Sequence, residues 1–153
     1  MANTFTQIYL HFVFAVQNRY SIIQPEWKNE LYKYITGIIQ NNNHKLIAIN
    51  GTANHIHMAV GYKPHQLISN LLQDIKGDSS KWINKKCFVR GKFNWQQGYG
   101  AFSFSHSQID RVAKYINNQE QHHKKKTFRE EYIELLKKYD VPYNEKYILI
   151  DIA

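Results

Sequence analysis

Twice along this chain a stretch of period two gives way to a stretch of period 3.6 and then returns, and that order narrows the possible folds more than any other feature. Residues 5–16, FTQIYLHFVFAV, alternate so that Ile8, Leu10, Phe12, Phe14 and Val16 share one face of a strand, opposite a mixed face of Gln7, Tyr9, His11 and Val13. Pro25 suits a first helical turn, and Trp27, Leu31, Tyr34, Ile35 and Ile38 recur at helical spacing to about residue 41. HKLIAIN (44–50) and HIHMAVGY (55–62) read as two strands joined by a tight GTAN turn. After Pro64 the stripe Leu67, Leu71, Leu72 and Ile75 predicts a second helix, which KGDSS (76–80) interrupts or kinks. FNWQQGYGAFSFS (93–105) is a fourth strand.

Strand–helix–strand repeated twice predicts an α+β fold: a ferredoxin-like or RRM-like four-stranded antiparallel sheet with helices on one face and the first and third strands central. Two more helices follow. The third covers about 108–122, with Ser107 as an N-cap and Asp110 as a weak capping-box partner. Thr127 and Glu130 repeat that signature ahead of a fourth helix that buries Phe128, Tyr132, Leu135 and Leu136. The tail from about 139 to 153 is too short for a domain, so residues 1–153 read as one domain.

With 43% hydrophobic and 14% aromatic residues the chain is expected to fold rather than stay disordered. No apolar run approaches the ~20 residues of a membrane span, and the N-terminus lacks the marks of a signal peptide. The single cysteine, Cys87, excludes an internal disulfide framework and a cysteine-based zinc cluster. A cytoplasmic protein without a membrane partner is the expectation. The net charge of +8 is compatible with an ordinary basic surface. Aromatics interleaved with basic residues, as in KWINKKCFVRGKFNWQQGYGAF, add weight to a nucleic-acid partner, because aromatic faces stack on unpaired bases.

In the third strand, His55, His57 and Ala59 share one side and Ile56, Met58 and Val60 the other. The apolar set must face the helix-covered core, so the two histidines project together from the opposite face. Two imidazoles so placed suit one metal ion; they equally suit two polar residues on a half-exposed strand. A third ligand has to come from another element. On the third helix Ile109, Val112, Ala113 and Ile116 form the core stripe, while Tyr115 and Gln119 stand four residues apart beside it. A tyrosine hydroxyl next to a metal-bound phosphate can act as a nucleophile, and the Gln119 amide oxygen could complete a His, His, Gln site. Ordinary packing is the alternative for Tyr115.

A strand-borne His-Ile-His unit followed by a helical tyrosine with glutamine four residues on resembles the HUH single-strand nucleases, and within them the single-tyrosine, insertion sequence 200/605-like transposases of bacteria. HIHMAV, DIKGDSSKWIN, FNWQQGYGAFSFS and VAKYINNQEQHHKKKTFREEY are similar to that family in the same order and cover most of the chain. The resemblance implies that His55, His57 and Gln119 are metal ligands for Mg2+ or Mn2+ and that Tyr115 is the catalytic nucleophile. By ligand type the mixed nitrogen–oxygen set suits manganese better. It also implies cleavage and rejoining of single-stranded DNA through a 5′-phosphotyrosine, on hairpin-bearing insertion-sequence ends. The expected assembly is a homodimer with the tyrosine acting in trans. Candidate phosphate contacts are Lys76, Lys81, Lys85, Lys86, Arg90, Lys92, Lys124, Lys125 and Lys126. His122 and His123 read as structural or DNA-contacting. A non-enzymatic single-strand-binding module of the same fold explains charge and aromatics but not the converging histidines. A metal-dependent nuclease without a covalent intermediate uses the same ligands, and Tyr115 separates it from the transposase reading.

Overall fold

The computed structural model describes residues 3–18 and 22–148. Strands β1 (Tyr9–Ala15), β2 (Lys45–Gly51), β3 (His55–Gly61) and β4 (Gly100–Phe104) form one antiparallel sheet in the order β2-β3-β1-β4. Helix α1 (Pro25–Asn41) links β1 to β2, and α2 (Ile68–Lys86) links β3 to β4. This is the ferredoxin-like α+β arrangement predicted above, with β1 and β3 at the centre. Helices α3 (Ile109–Asn117), α4 (Gln119–His122) and α5 (Phe128–Lys138) follow.

Strand parity sorts the side chains into two layers. Leu10, Phe12 and Phe14 join Ile56, Met58 and Val60 beneath Trp27, Leu31, Ile35 and Ile39 of α1 and Leu71, Leu72, Ile75 and Ile83 of α2. The other face is covered as well. Val112 and Ile116 of α3 lie on Ala48, Ala59 and Phe104, where the two alanines leave room for a close helix. Phe128, Tyr132, Leu135 and Leu136 of α5 lie on Val13, Ala15 and Phe102. The histidine face is therefore not half-exposed: His55 and His57 are fully buried.

Element boundaries depart from the sequence pattern in four places, each with a local cause. Pairing in β1 starts at Tyr9 rather than residue 5, and Phe5 stands exposed beyond the sheet. Helix α2 runs through KGDSS without interruption, because nothing crowds Gly77 and the buried Ser79 hydroxyl accepts a hydrogen bond of 2.9 Å from Trp95 Nε1. It stops at Cys87, whose φ of 57° is left-handed. The fourth strand is discontinuous. Trp95 bridges to Val16, Gly98 at φ 86° takes the chain out of the sheet, and pairing resumes only at Gly100. The third helix begins with a 3-10 turn at His106–Gln108 and breaks at Asn118, and Ser107 makes no capping bond to it. The expected capping box of Thr127 and Glu130 is present at the start of α5.

The turn that delivers His55 depends on Gly51. A Cβ there would lie 2.1 Å from the His55 carbonyl oxygen, inside any real contact distance. Gly51→Ala is expected to destabilise the protein by about 1–3 kcal/mol, the usual range for overpacking. Gly77→Ala, at an uncrowded position within α2, is expected to be stabilising or neutral. Urea unfolding of the two variants checks both.

Candidate metal centre and nucleophile

The site lies under α3, α4 and α5 on the second face of the sheet. Parity on β3 delivers His55 and His57, and parity on β1 delivers His11. Val112 and Ile116 seat α3 on the sheet and bring the Tyr115 ring edge-on to His57 at 5.9 Å and to His11 at 6.1 Å. Asn50 of β2 donates to the carbonyls of Ile116 and Asn117, at 3.0 and 3.2 Å, capping the end of α3. The chain then breaks for one residue at Asn118 and re-enters α4 with Gln119 fully buried. His55, His57, Tyr115 and Gln119, separated by up to 64 positions in sequence, are thus brought together.

The residue at the centre is one the sequence reading missed. Glu131 of α5 is buried. It receives hydrogen bonds from the Tyr115 hydroxyl and from Gln119 Nε2 at 2.9 Å. Its Oε1 lies 3.0 Å from His57 Nε2 and 3.0 Å from His123 Nε2, with His55 Nε2 at 3.4 Å. A signal was available: Glu131 sits on the apolar stripe of α5, three residues after Phe128 and four before Leu135, where a carboxylate needs a reason. His11, Nε2 to Nδ1 at 2.8 Å from His57, was likewise visible only as a polar residue of the right parity. His123 is placed against Glu131, and the His122 ring lies 4.6 Å from that of Tyr115.

Burial pushes the Glu131 carboxyl up, but hydrogen bonds from His123, His55 and His57 outweigh it and hold the group ionised, well below the usual range. Burial lowers His55 to about 4. Burial, with Glu131 adding to it, raises the Tyr115 phenol far above its ordinary value, so the hydroxyl keeps its proton in this arrangement.

The donor set has an imbalance that fits a cation. Neutral His55 owns one proton. Its Nδ1 lies 2.7 Å from Asn54 Oδ1, an acceptor, while Nε2 lies 3.0 Å from Gln119 Oε1 and 3.4 Å from Glu131 Oε1, acceptors too. The Gln119 amide is oriented by its own bond to Glu131, which leaves Oε1 aimed at His55. With the proton toward Asn54, lone pairs of His55, Gln119 and Glu131 face each other; with it toward Glu131, Nδ1 faces Asn54 Oδ1 and, at 3.0 Å, the Thr52 hydroxyl. A divalent ion is the natural counterpart of the first arrangement, and ligand atoms of His55, His57 and Glu131 lie within 4.8 Å of one another.

The candidate phosphate-binding cations are distributed unequally. Lys76 is half-buried and donates to the carbonyls of Gln96 and Gly98 at 2.6 and 2.8 Å, so it clamps the loop before β4. Lys81, Lys85, Lys86, Arg90 and Lys92 are exposed around the end of α2. Lys124, Lys125 and Lys126 line an open pocket with Thr52, Asn54 and His123, next to the histidines, and Lys126 also pairs with Glu134. Among the described residues no helix is long and apolar enough to cross a membrane.

The family model described as "Transposase IS200 like" matches residues 4–119. A solved structure from Deinococcus radiodurans R1, described as a "putative transposase", is similar with a TM-score of 0.59 and 19% identity, over 76% of this chain and 94% of that one. A REP-associated tyrosine transposase bound to a REP hairpin is similar with a TM-score of 0.61 and 14% identity, over 79% of this chain and 72% of that one. At such identities the structural likenesses speak for the fold. No curated protein matches the chain.

The Lys76 geometry generates a test. Lys76→Met is expected to lower stability by ~1.5–3 kcal/mol, as for a hydrogen bond to a charged group, and to leave the salt dependence of DNA binding unchanged. Lys124→Ala and Lys125→Ala should each reduce that salt slope by about one. Chemical unfolding and binding titrations at several salt concentrations measure the two effects.

Proposed function

The chain belongs to the IS200-like transposase family, and we propose that it cuts and rejoins single-stranded DNA at hairpin-bearing element ends, with Tyr115 as nucleophile and a divalent metal at His55, His57 and Gln119. The observation that carries the reading is the convergence of Tyr115 Oη, His57 Nε2 and Gln119 Nε2 on the single carboxylate of Glu131, with Gln119 Oε1 turned to His55. A carboxylate held by a phenol, an amide and imidazoles occupies the kind of anionic seat that a scissile phosphate requires. Hairpin recognition is supported by the fold shared with a transposase bound to a REP hairpin.

Bound Mg2+ or Mn2+ would supply Lewis-acid polarisation of the scissile phosphate. The protein's own residues do the rest. Tyr115 Oη attacks phosphorus in line; the bond to the 3′-oxygen breaks and leaves a 5′-phosphotyrosine and a free 3′-hydroxyl. In the closed arrangement the phenol is hydrogen-bonded to Glu131; once α5 and Glu131 have moved away, its proton passes to solvent water and the leaving 3′-oxygen takes one up. Attack by the 3′-hydroxyl of a second strand reverses the step and frees Tyr115, so rejoining needs no external energy source. Because His55 and His57 are fully buried beneath α5, with Phe128 stacked 4.2 Å from the His55 ring, α5 withdraws when DNA enters.

Within a single chain Tyr115 lies beside its own histidines, a cis arrangement. The homodimer with trans catalysis implied by the family resemblance is tested by mixing two inactive variants, His57→Ala and Tyr115→Phe, under conditions of subunit exchange. Revival of cleavage means trans; a dead mixture with heterodimers present means cis.

Tyr115→Phe is expected to keep fold, metal and hairpin binding and to abolish the covalent protein–DNA adduct formed with labelled single-stranded ends and Mn2+. Persistence of the adduct would move the nucleophile elsewhere; Tyr99, which packs against the α1–α2 layer, would be tested next. Cleavage without any adduct in the unsubstituted protein would favour the nuclease reading, and hairpin binding without cleavage the non-enzymatic one. His57→Ala should stop cleavage while leaving DNA affinity, which comes mostly from phosphate contacts, largely intact.

A further inference from the structure

His57 is gripped from both ends. Its Nε2 faces Glu131 Oε1 at 3.0 Å, and its Nδ1 faces His11 Nε2 at 2.8 Å. Both imidazoles are buried, and in the sheet Val13 stands opposite His57 while His11 stands opposite Ala59. The two histidines are therefore diagonal neighbours on one face of the central strand pair. His55 has an outer partner of its own in Asn54, whose Oδ1, an acceptor, lies 2.7 Å from His55 Nδ1. His11 differs from Asn54 Oδ1 in one chemical respect: an imidazole nitrogen serves as either donor or acceptor.

That difference matches what His57 needs. Facing the Glu131 carboxylate, His57 carries its proton on Nε2, and its bare Nδ1 accepts from His11 Nε2–H. Holding a metal through Nε2, His57 must carry the proton on Nδ1 and donate it to a bare His11 Nε2. We propose that His11 is a positioning residue for the metal site: a buried imidazole that keeps one 2.8 Å hydrogen bond to His57 through both arrangements by reversing the direction of that bond. The inference rests on the metal reading of the site given above. The protons balance. One leaves His57 Nε2, one crosses from His11 Nε2 to His57 Nδ1, and one is taken up at His11 Nδ1, so both rings stay neutral. His11 lines a cavity of about 140 Å³ together with Tyr115, Arg111 and Lys138, which offers a route for the last of these.

The test compares the full-length protein with His11→Phe and His11→Gln, all three confirmed as folded by circular dichroism. Mn2+ affinity is read from the electron paramagnetic resonance of free Mn2+. His57 tautomers are read by 15N imidazole NMR with and without Zn2+ as a diamagnetic probe. His11→Phe should weaken Mn2+ binding ~10–100-fold, the usual effect of losing an outer partner of a ligand. His11→Gln, whose amide offers either an acceptor or a donor, should recover most of the loss. In the unsubstituted protein Zn2+ should move the His57 proton from Nε2 to Nδ1. Three results would overturn the proposal: Mn2+ affinity unchanged in His11→Phe, no recovery in a folded His11→Gln, or a His57 tautomer that does not change with Zn2+. If the unsubstituted protein binds no divalent ion at all, the metal reading itself fails, a result distinct from those three.

Discussion

The second face of this sheet is organised around one buried negative charge. An ionised carboxylate away from water is destabilising by several kcal/mol unless donors surround it, and Glu131 is surrounded by donors from three other parts of the chain: Tyr115 on α3, Gln119 and the adjacent His123 around α4, and His57 on β3. The same interactions fasten α5 to the sheet. Apolar contacts of Phe128, Tyr132, Leu135 and Leu136 set its approach, and the charge fixes its register, because a shift of one residue would turn the carboxylate away from these donors. Anything that replaces Glu131 at that position must likewise be anionic and able to accept several hydrogen bonds. A phosphodiester meets both conditions.

The two layers of the protein differ in kind. Beneath α1 and α2 the sheet presents Phe12, Phe14, Ile56, Met58 and Val60, with helices that carry apolar residues in return. That layer needs nothing but burial, and its stability is that of an ordinary core. The opposite layer mixes small and polar residues, Ala48, Ala59, His11, His55 and His57, and is closed by shorter helices. The larger apolar cluster lies on one side of the sheet and the buried polar cluster on the other, so rearrangement of α5 can occur while the first layer holds the strands in register.

What the sequence made legible follows the same division. Period-two and period-3.6 patterns are produced by burial, so the four strands, α1, α2, the sheet order and the shared side of His55 and His57 were all readable. Backbone punctuation was read less well. KGDSS contains a helix breaker by composition, yet Ser79 finds Trp95 and the helix continues. FNWQQGYGAFSFS alternates like one strand, yet Gly98 at φ 86° splits it. Convergence in space was readable only in part. Tyr115 and Gln119 were placed on one rim by helical spacing, although the chain breaks between them at Asn118. Glu131 lies among the buried positions that helical spacing predicts for α5, yet a lone carboxylate carries no motif. Lys76 shows the converse: a lysine in a basic run reads as a phosphate contact until two backbone carbonyls are found on its ammonium group.

Whether the proposed nucleophile, Tyr115, would serve its own chain or that of a second copy turns on which helix lets go first. Helix α3 is held by Val112 and Ile116 in the shallow bed of Ala48 and Ala59, and by Asn50 across its last carbonyls. Helix α5 is joined to α4 by residues 123–127, a turn with three consecutive lysines. DNA phosphates entering along Lys124 and Lys125 would meet that turn before reaching α3, and the turn's charge favours their arrival. Opening by α5 alone admits the strand and leaves Tyr115 seated beside His57, which is cis chemistry. A trans site requires α3 to leave its bed as well, breaking the Asn50 bonds and exposing Ala59. The choice is thus set by the strength of the α3 seat relative to the Glu131 cluster, two local quantities coupled through the hydrogen bond from Tyr115 to Glu131.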